Sequence, residues 1–145
     1  MAEISRLALT LALGTTASAA MAGSDPWELL SGIQVDETYD GDRYEVTKVF
    51  PEDVRDGIQD FFITGYAVPL TPGEAITSLI LVSDMGNCPF CGSGGHAASL
   101  QVELDEPVFG LEEGTRISLR GALEAVTDTE TWQATIMRNA RLVAS

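Results

Sequence analysis

The chain has 145 residues, and its 22 acidic against 8 basic side chains give a formal net charge of −14. A field of that sign repels phosphate backbones and anionic lipid surfaces, so the composition argues against a nucleic-acid-binding protein. Hydrophobic residues make up 45% of the chain, which is enough for a packed core in a single domain.

Residues 1–22 have the pattern of an export signal. Arg6 precedes the apolar run LALTLALG, and the small residues that follow contain two small-x-small cleavage patterns, ending at Ala19 and Ala22. The alternative is a short helix anchored in the membrane, although the run is shorter than a typical span. We expect a cleaved signal peptide, a periplasmic or secreted protein, and no stable membrane insertion after cleavage.

Residues 23–57 predict an N-terminal extension with short helices and one strand. Ser24 or Asp25 is placed to cap a helix that has Pro26 at its first position. The acidic stretch VDETYDGD indicates a solvated loop that ends in a turn, and RYEV then alternates as a short strand. The segment PEDVRDG predicts a second short helix that is closed by glycine.

Residues 58–145 predict a second unit built from five strands separated by turn signals. The strand in AITSLILVS is dense enough in apolar residues to be buried on both faces. Gly121, in TRISLRGALEAV, stands where a barrel strand needs a bend or a bulge. We therefore expect a mainly β protein with a small five-stranded antiparallel barrel of the oligonucleotide/oligosaccharide-binding (OB) type; a β-sandwich or another small barrel is the alternative. Trp27 and Trp132 are expected in the core.

The connection between the second and third of these strands, SDMGNCPFCGSGGHAAS, holds both cysteines of the chain, Cys88 and Cys91, and its only histidine, His96. CPFCG is typical of one half of a zinc ribbon, because proline and glycine shape a turn that points both sulfurs at one ion. No second half is present, so His96 is the candidate third metal ligand. Asp84, another acid or water would then complete the site, which suits exchangeable zinc or copper.

Two other interpretations of the cysteine loop remain open. Cys88 and Cys91 have the spacing of a thiol-exchange pair, although the glycine-rich segment after them is a poor helix former and gives no helix N-terminus to lower a thiol pKa. In an exported protein the two thiols also tend to be oxidised to a disulfide, which would only stiffen the loop. The sequence does not decide among metal, exchange and structural disulfide.

Catalysis has little support in the sequence. One histidine is present and no Gly-x-Ser-x-Gly elbow occurs. Carboxylate pairs in VDETYDGD and LDEPVFGLEEG could act as acid and base or bind calcium, but they do not match EF-hand spacing, and on so acidic a chain they favour solvated loops. We identify no catalytic or organic-cofactor-binding residues, and we favour a protein that is not an enzyme.

The order FFITGYAVPL, SLILVSDMGNCPFCG, SLQVELDEPV and ISLRGALEAV resembles the DUF3299 family of exported bacterial proteins of unknown function. The similar features are Gly65, Tyr66, Pro69 and Leu70, the apolar strand that follows, and the cysteine loop; the likeness covers most of residues 27–143. Many members carry a proline-rich loop after one cysteine with a histidine nearby, whereas this chain has CPFCGSGGH. The resemblance implies export, a small barrel and association with membrane transporters that handle metals, zinc in particular.

These patterns together predict a small exported binding or accessory protein that handles metal, with zinc as the candidate ion, through Cys88 and Cys91. The expected partner is a membrane transporter or another exported protein. The alternatives are a thiol-disulfide active protein and a binding module with a purely structural Cys88–Cys91 disulfide.

Overall fold

A computed structural model describes residues 25–71, 73–85 and 98–143 of the chain. The fold is mainly β: two short helices and a two-stranded sheet precede a closed barrel of five strands. In chain order the elements are α1 (Pro26–Ser31), β1 (Gln34–Asp40), β2 (Arg43–Val49), α2 (Glu52–Asp56), β3 (Ile58–Pro69), β4 (Ala75–Val82), β5 (Ser99–Phe109), β6 (Arg116–Ala125) and β7 (Thr135–Leu142).

Helix α1 begins as the sequence predicts. The Asp25 carboxylate accepts hydrogen bonds from the backbone N–H groups of Trp27 (2.8 Å) and Glu28 (3.3 Å), and Pro26 takes a first-turn position. Because Trp27 Nε1 also donates to the carbonyl oxygen of Thr64 at 2.7 Å, the helix is fixed to β3. Trp27, expected in the core, is partly buried and packs against it.

The five barrel strands lie in the order β3-β4-β5-β7-β6, and β6 closes the ring by pairing with β3. Four neighbouring pairs are antiparallel, but β5 and β7 run parallel. The expectation of an antiparallel barrel is therefore wrong, and the barrel is mixed. The reason is parity: strand directions can alternate around a closed ring only if the number of strands is even, so a closed ring of five must contain at least one parallel pair.

The barrel core is filled by large aliphatic side chains that alternate along the strands. Residues 79–82 of β4 are all buried, which confirms the prediction of a strand covered on both faces. The largest fully buried side chains in the barrel are Ile63, Leu79, Leu81, Val82, Leu100, Val102, Leu119, Leu123 and Met137.

Gly121 marks an irregularity in β6, as the sequence predicts. The pairing register between β6 and β7 shifts between Arg120 and Ala122. A Cβ atom at Gly121 would lie 2.8 Å from the carbonyl oxygen of Arg138 and 3.0 Å from the Cα of Ala140. Strand β7 can approach β6 this closely because Gly121 has no side chain.

Two expectations about loops are wrong. Most of the acidic stretch VDETYDGD lies in strand β1 (Gln34–Asp40) and not in a loop, so the extension contains two strands. The acidic stretch LDEPVFGLEEG is also not entirely a loop, because strand β5 continues to Phe109. Near Pro107, β5 no longer pairs with β7 and has a free edge. Proline, which has no backbone N–H, is tolerated at such an edge. Strand β7 begins at Thr135, and the preceding residues 131–134 are not strand.

The hairpin of β1 and β2 is bonded to the connection between β6 and β7. Val46 is buried, with 1% of its surface exposed, and its N–H donates to the carbonyl oxygen of Thr129 at 2.8 Å. Within the hairpin, Tyr39 and Tyr44 are cross-strand partners with ring centroids 5.0 Å apart, and Tyr39 is 71% exposed. Partial desolvation and the neighbouring Glu37 carboxylate raise the pKa of Tyr44.

Arg138 on β7 joins three strands of the barrel surface. Its guanidinium pairs with Glu103 of β5 and, at 3.0 Å, with Glu124 of β6. The hydrogen bond with Glu124 and the charge of Glu103 raise the pKa of Arg138. The side chain is 44% exposed, so water weakens both ion pairs.

Replacing Arg138 with glutamine is expected to lower Tm by a few degrees at most, and the difference should shrink in concentrated salt, which screens exposed ion pairs. Thermal unfolding followed by circular dichroism at low and high sodium chloride measures both effects. Arg43→Gln is the matched control, because it removes the same charge from the exposed start of β2. If both variants lose the same amount of Tm, with the same dependence on salt, the effect comes from net charge and not from the ion pairs of Arg138.

Candidate functional site

The predicted metal ligands Cys88, Cys91 and His96 lie outside the described residues. The structure describes the base of the loop that carries them. Val82, the last residue of β4, pairs with Ser99, the first residue of β5. The loop therefore leaves and re-enters the barrel at one place, on two neighbouring strands.

The two ends of the cysteine loop are anchored in the barrel core. The next cross-strand pair inward is Leu81 with Leu100, and neither side chain is exposed. Asp84, the candidate fourth ligand, lies two residues beyond β4 and is exposed. The paired strands β4 and β5 therefore fix the positions at which the loop leaves and re-enters the barrel.

Acidic side chains in the described ranges do not form a metal centre. No group of three or more histidine, cysteine, aspartate or glutamate side chains is placed there to hold an ion. Asp105, in the acidic stretch LDEPVFGLEEG, forms an ion pair with Arg141 at 2.9 Å. Likewise, none of the described helices is long and apolar enough to cross a membrane.

A cleft with a volume of about 210 Å³ lies outside the barrel, where β4 and β5 meet residues 126–134, which we call the β6–β7 segment. On the strand side, Ile80 and Gln101 are cross-strand partners, and Ser99 lies on the same face of β5 as Gln101. The described residues that line it are Ile80, Ser99, Gln101, Thr131, Trp132, Gln133, Ala134 and Thr135.

Trp132 is not in the core, so the sequence-based expectation for it is wrong. Its side chain lines the cleft and is 49% exposed. The expectation rested on the usual burial of tryptophan, whereas this residue belongs to a connecting segment outside the barrel wall. No local sequence signal marks it as a cleft residue.

Lys48, the only lysine of the chain, holds the β6–β7 segment in place. Its Nζ atom donates to three backbone carbonyl oxygens, those of Val126 (3.0 Å), Asp128 (2.7 Å) and Gln133 (2.6 Å). An ammonium group has three N–H donors, and all three are used. Partial burial lowers the pKa of Lys48, and the Asp128 carboxylate opposes that shift.

Further hydrogen bonds stabilise the same segment from within. The N–H of Val126 donates to the carbonyl oxygen of Ala134 at 2.8 Å, which joins the two ends of the segment. The N–H of Gln133 donates to the Thr131 hydroxyl at 3.2 Å. The cleft wall that carries Trp132 is therefore a braced turn.

The described lining of the cleft is polar and apolar but uncharged. Among the residues that the structure describes, its lining contains hydroxyl, amide, aliphatic and indole groups and no ionisable side chain. Sequence reasoning missed it because its residues come from separated parts of the chain: strands β4 and β5, the β6–β7 segment and the start of β7. In comparisons with known proteins, the chain matches no family model, no curated protein sequence and no solved structure.

Proposed function

We propose that this is an exported binding or accessory protein that handles a soft or borderline metal ion, zinc first, through the thiolates of Cys88 and Cys91. The observation that supports this most is the anchored base of the loop: Val82 and Ser99 are paired, so the thiols are carried on a loop with both ends fixed to one place. His96 is the candidate third ligand, and one open position would allow the ion to be passed on.

We also propose that the barrel is of the OB type. The consecutive strands β3, β4 and β5 form a meander, β6 returns to β3, and β7 inserts between β5 and β6. In OB barrels the face of the second and third strands often binds ligands. Here those strands are β4 and β5, which the cysteine loop connects.

The proposal places the protein in the periplasm or outside the cell, after removal of residues 1–22. Its partner would be a membrane transporter or another exported protein that accepts the ion. Thiols in such compartments tend to be oxidised, so metal handling requires that Cys88 and Cys91 be kept reduced or be loaded before oxidation. Binding would release protons, because thiolates and not thiols are the ligands.

Zinc titration of the purified, reduced protein tests the proposal, with free thiols and released protons counted together. We expect one zinc ion per chain with sub-micromolar affinity, loss of binding in Cys88→Ser, and weaker binding in His96→Ala. Ser93→Ala, in the same loop, is the matched control and should bind normally. If the reduced protein binds no zinc, or if the cysteine variant binds as well as the natural sequence, the proposal is wrong.

A second candidate is a binding module whose Cys88–Cys91 disulfide is purely structural, and the cleft on the outer face of β4 and β5 favours it. A third is a thiol-disulfide active protein. The reduction potential separates these two: a structural disulfide should lie below about −300 mV, and an exchange-active pair well above that value.

A further inference from the structure

The cleft is lined by groups that both donate and accept hydrogen bonds. Hydroxyls and primary amides have this property, and none of the lining side chains in the described part of the chain carries a charge. This neutrality stands out on a chain with a net charge of −14. A charged ligand would find no counter-charge in the cleft, whereas a neutral ligand with many hydroxyl groups would find matching partners. The polar side chains concerned are Ser99, Gln101, Thr131, Gln133 and Thr135.

Two of these polar side chains are available to a ligand. Within the described residues, the Ser99 hydroxyl and the Gln101 amide make no hydrogen bond to the protein. Gln133 has one long contact, from its Nε2 to the carbonyl oxygen of Thr135 at 3.5 Å. Hydrogen-bonding groups in a cleft that are not used by the fold can orient a ligand and discriminate between ligands.

Apolar contact in the cleft comes from Trp132 and Ile80. The indole is 49% exposed although it is large and apolar, and Ile80 is 8% exposed. A pyranose ring presents C–H groups on its faces and hydroxyls around its edge. An exposed indole beside hydroxyl and amide groups is complementary to both parts of such a ring.

The size and rigidity of the cleft limit the ligand further. A volume of about 210 Å³ is below the range of roughly 300–1,000 Å³ that is typical for drug-sized ligands, which favours a single ring. The bonds from Lys48 Nζ to three carbonyl oxygens hold the β6–β7 segment before any ligand arrives. A preformed wall reduces the ordering cost of binding.

We propose that this cleft binds one neutral sugar ring, as a free unit or as part of a glycan, with the ring against Trp132 and its hydroxyls bonded to Ser99 and Gln101. The inference does not depend on metal handling, because its residues are distinct from the cysteines and the histidine of the loop.

The test uses methyl glycosides of glucose, galactose, mannose, xylose, fucose and the two common N-acetylhexosamines, each in α and β form, at millimolar concentration. Binding is followed by tryptophan emission and by protein NMR chemical shifts. We expect at least one glycoside to shift resonances of the cleft residues, and glucuronate and glucosamine to bind less well. If no glycoside in the series binds, or if only the charged sugars bind, the inference is overturned.

Variants locate the binding. Trp132→Ala should weaken it by about tenfold or more, which corresponds to roughly 1.4 kcal/mol, and Gln101→Ala should also weaken it. Phe109→Ala is the matched control, since Phe109 is an exposed aromatic residue at the far end of β5, with 72% of its surface exposed. Unchanged binding in Trp132→Ala, or equal loss in Phe109→Ala, would contradict the assignment. Sugar binding should survive Cys88→Ser, so its outcome is separate from that of the zinc titration.

Discussion

Replacing Gly65 with alanine is expected to lower the free energy of unfolding by about 3 kcal/mol, at the upper end of the range for overpacked sites. The added Cβ atom would lie 2.7 Å from Cζ2 of Trp27, 2.7 Å from the carbonyl oxygen of Val82 and 2.9 Å from Cγ of Leu81. One of these neighbours is backbone on the adjacent strand, so rotating a side chain cannot relieve every contact. Either α1 is displaced or β3 and β4 separate.

Urea unfolding followed by circular dichroism measures this loss, and Gly41→Ala is its control. Nothing lies within 4 Å of a Cβ atom at Gly41, but its φ of +64° makes alanine strained, at a cost of roughly 1–2 kcal/mol. The control therefore measures backbone strain without crowding. If Gly65→Ala is no more destabilising than Gly41→Ala, the indole of Trp27 and strand β4 do not pack against Gly65 at these distances.

Replacing Lys48 with methionine is the second large change, with an expected loss of about 2–3 kcal/mol in the free energy of unfolding. Methionine keeps much of the apolar chain but removes all three hydrogen bonds from the charged Nζ atom to backbone carbonyl oxygens. A hydrogen bond to a charged group contributes roughly 1.5–3 kcal/mol, and we discount the sum because the site is only partly buried. The β6–β7 segment should loosen, and the emission of Trp132 should change with it.

Lys48→Arg distinguishes hydrogen-bond geometry from charge. Arginine keeps the positive charge, but its donors form a planar fork that does not direct three N–H groups at converging carbonyl oxygens. We expect an intermediate loss of stability, measured by the same urea unfolding. If Lys48→Arg is as stable as the natural sequence, charge near the segment is sufficient. If Lys48→Met is also unchanged, the three bonds do not hold the segment.

Features that depend on neighbouring residues could be predicted from the sequence. Asp25 before Pro26 predicted the start of α1, and Gly121 predicted the irregularity of β6, because caps and bulges depend on local backbone geometry. The five barrel strands could also be counted from alternation and turn signals. Strand β1 could not, because its acidic residues favour solvent and it becomes a strand only by pairing with β2.

Features that join distant parts of the chain could not be predicted. The bonds of Lys48 reach residues 78, 80 and 85 positions further along the chain, and no local pattern in the sequence indicates such partners. The same holds for the cleft and for the exposure of Trp132. For the cysteine loop, the sequence supplies the candidate ligands and the structure supplies the anchored base at Val82 and Ser99.

The parallel pairing of β5 with β7 has a consequence for the surface of the molecule. Strands that run in the same direction begin at the same end of the barrel, so Ser99 and Thr135, the first residues of β5 and β7, lie at the same end. Ser99 is the point at which the chain re-enters the barrel after the cysteines, and Thr135 follows the β6–β7 segment. The odd number of strands thus brings the entry points of two independent connections to one end of the barrel.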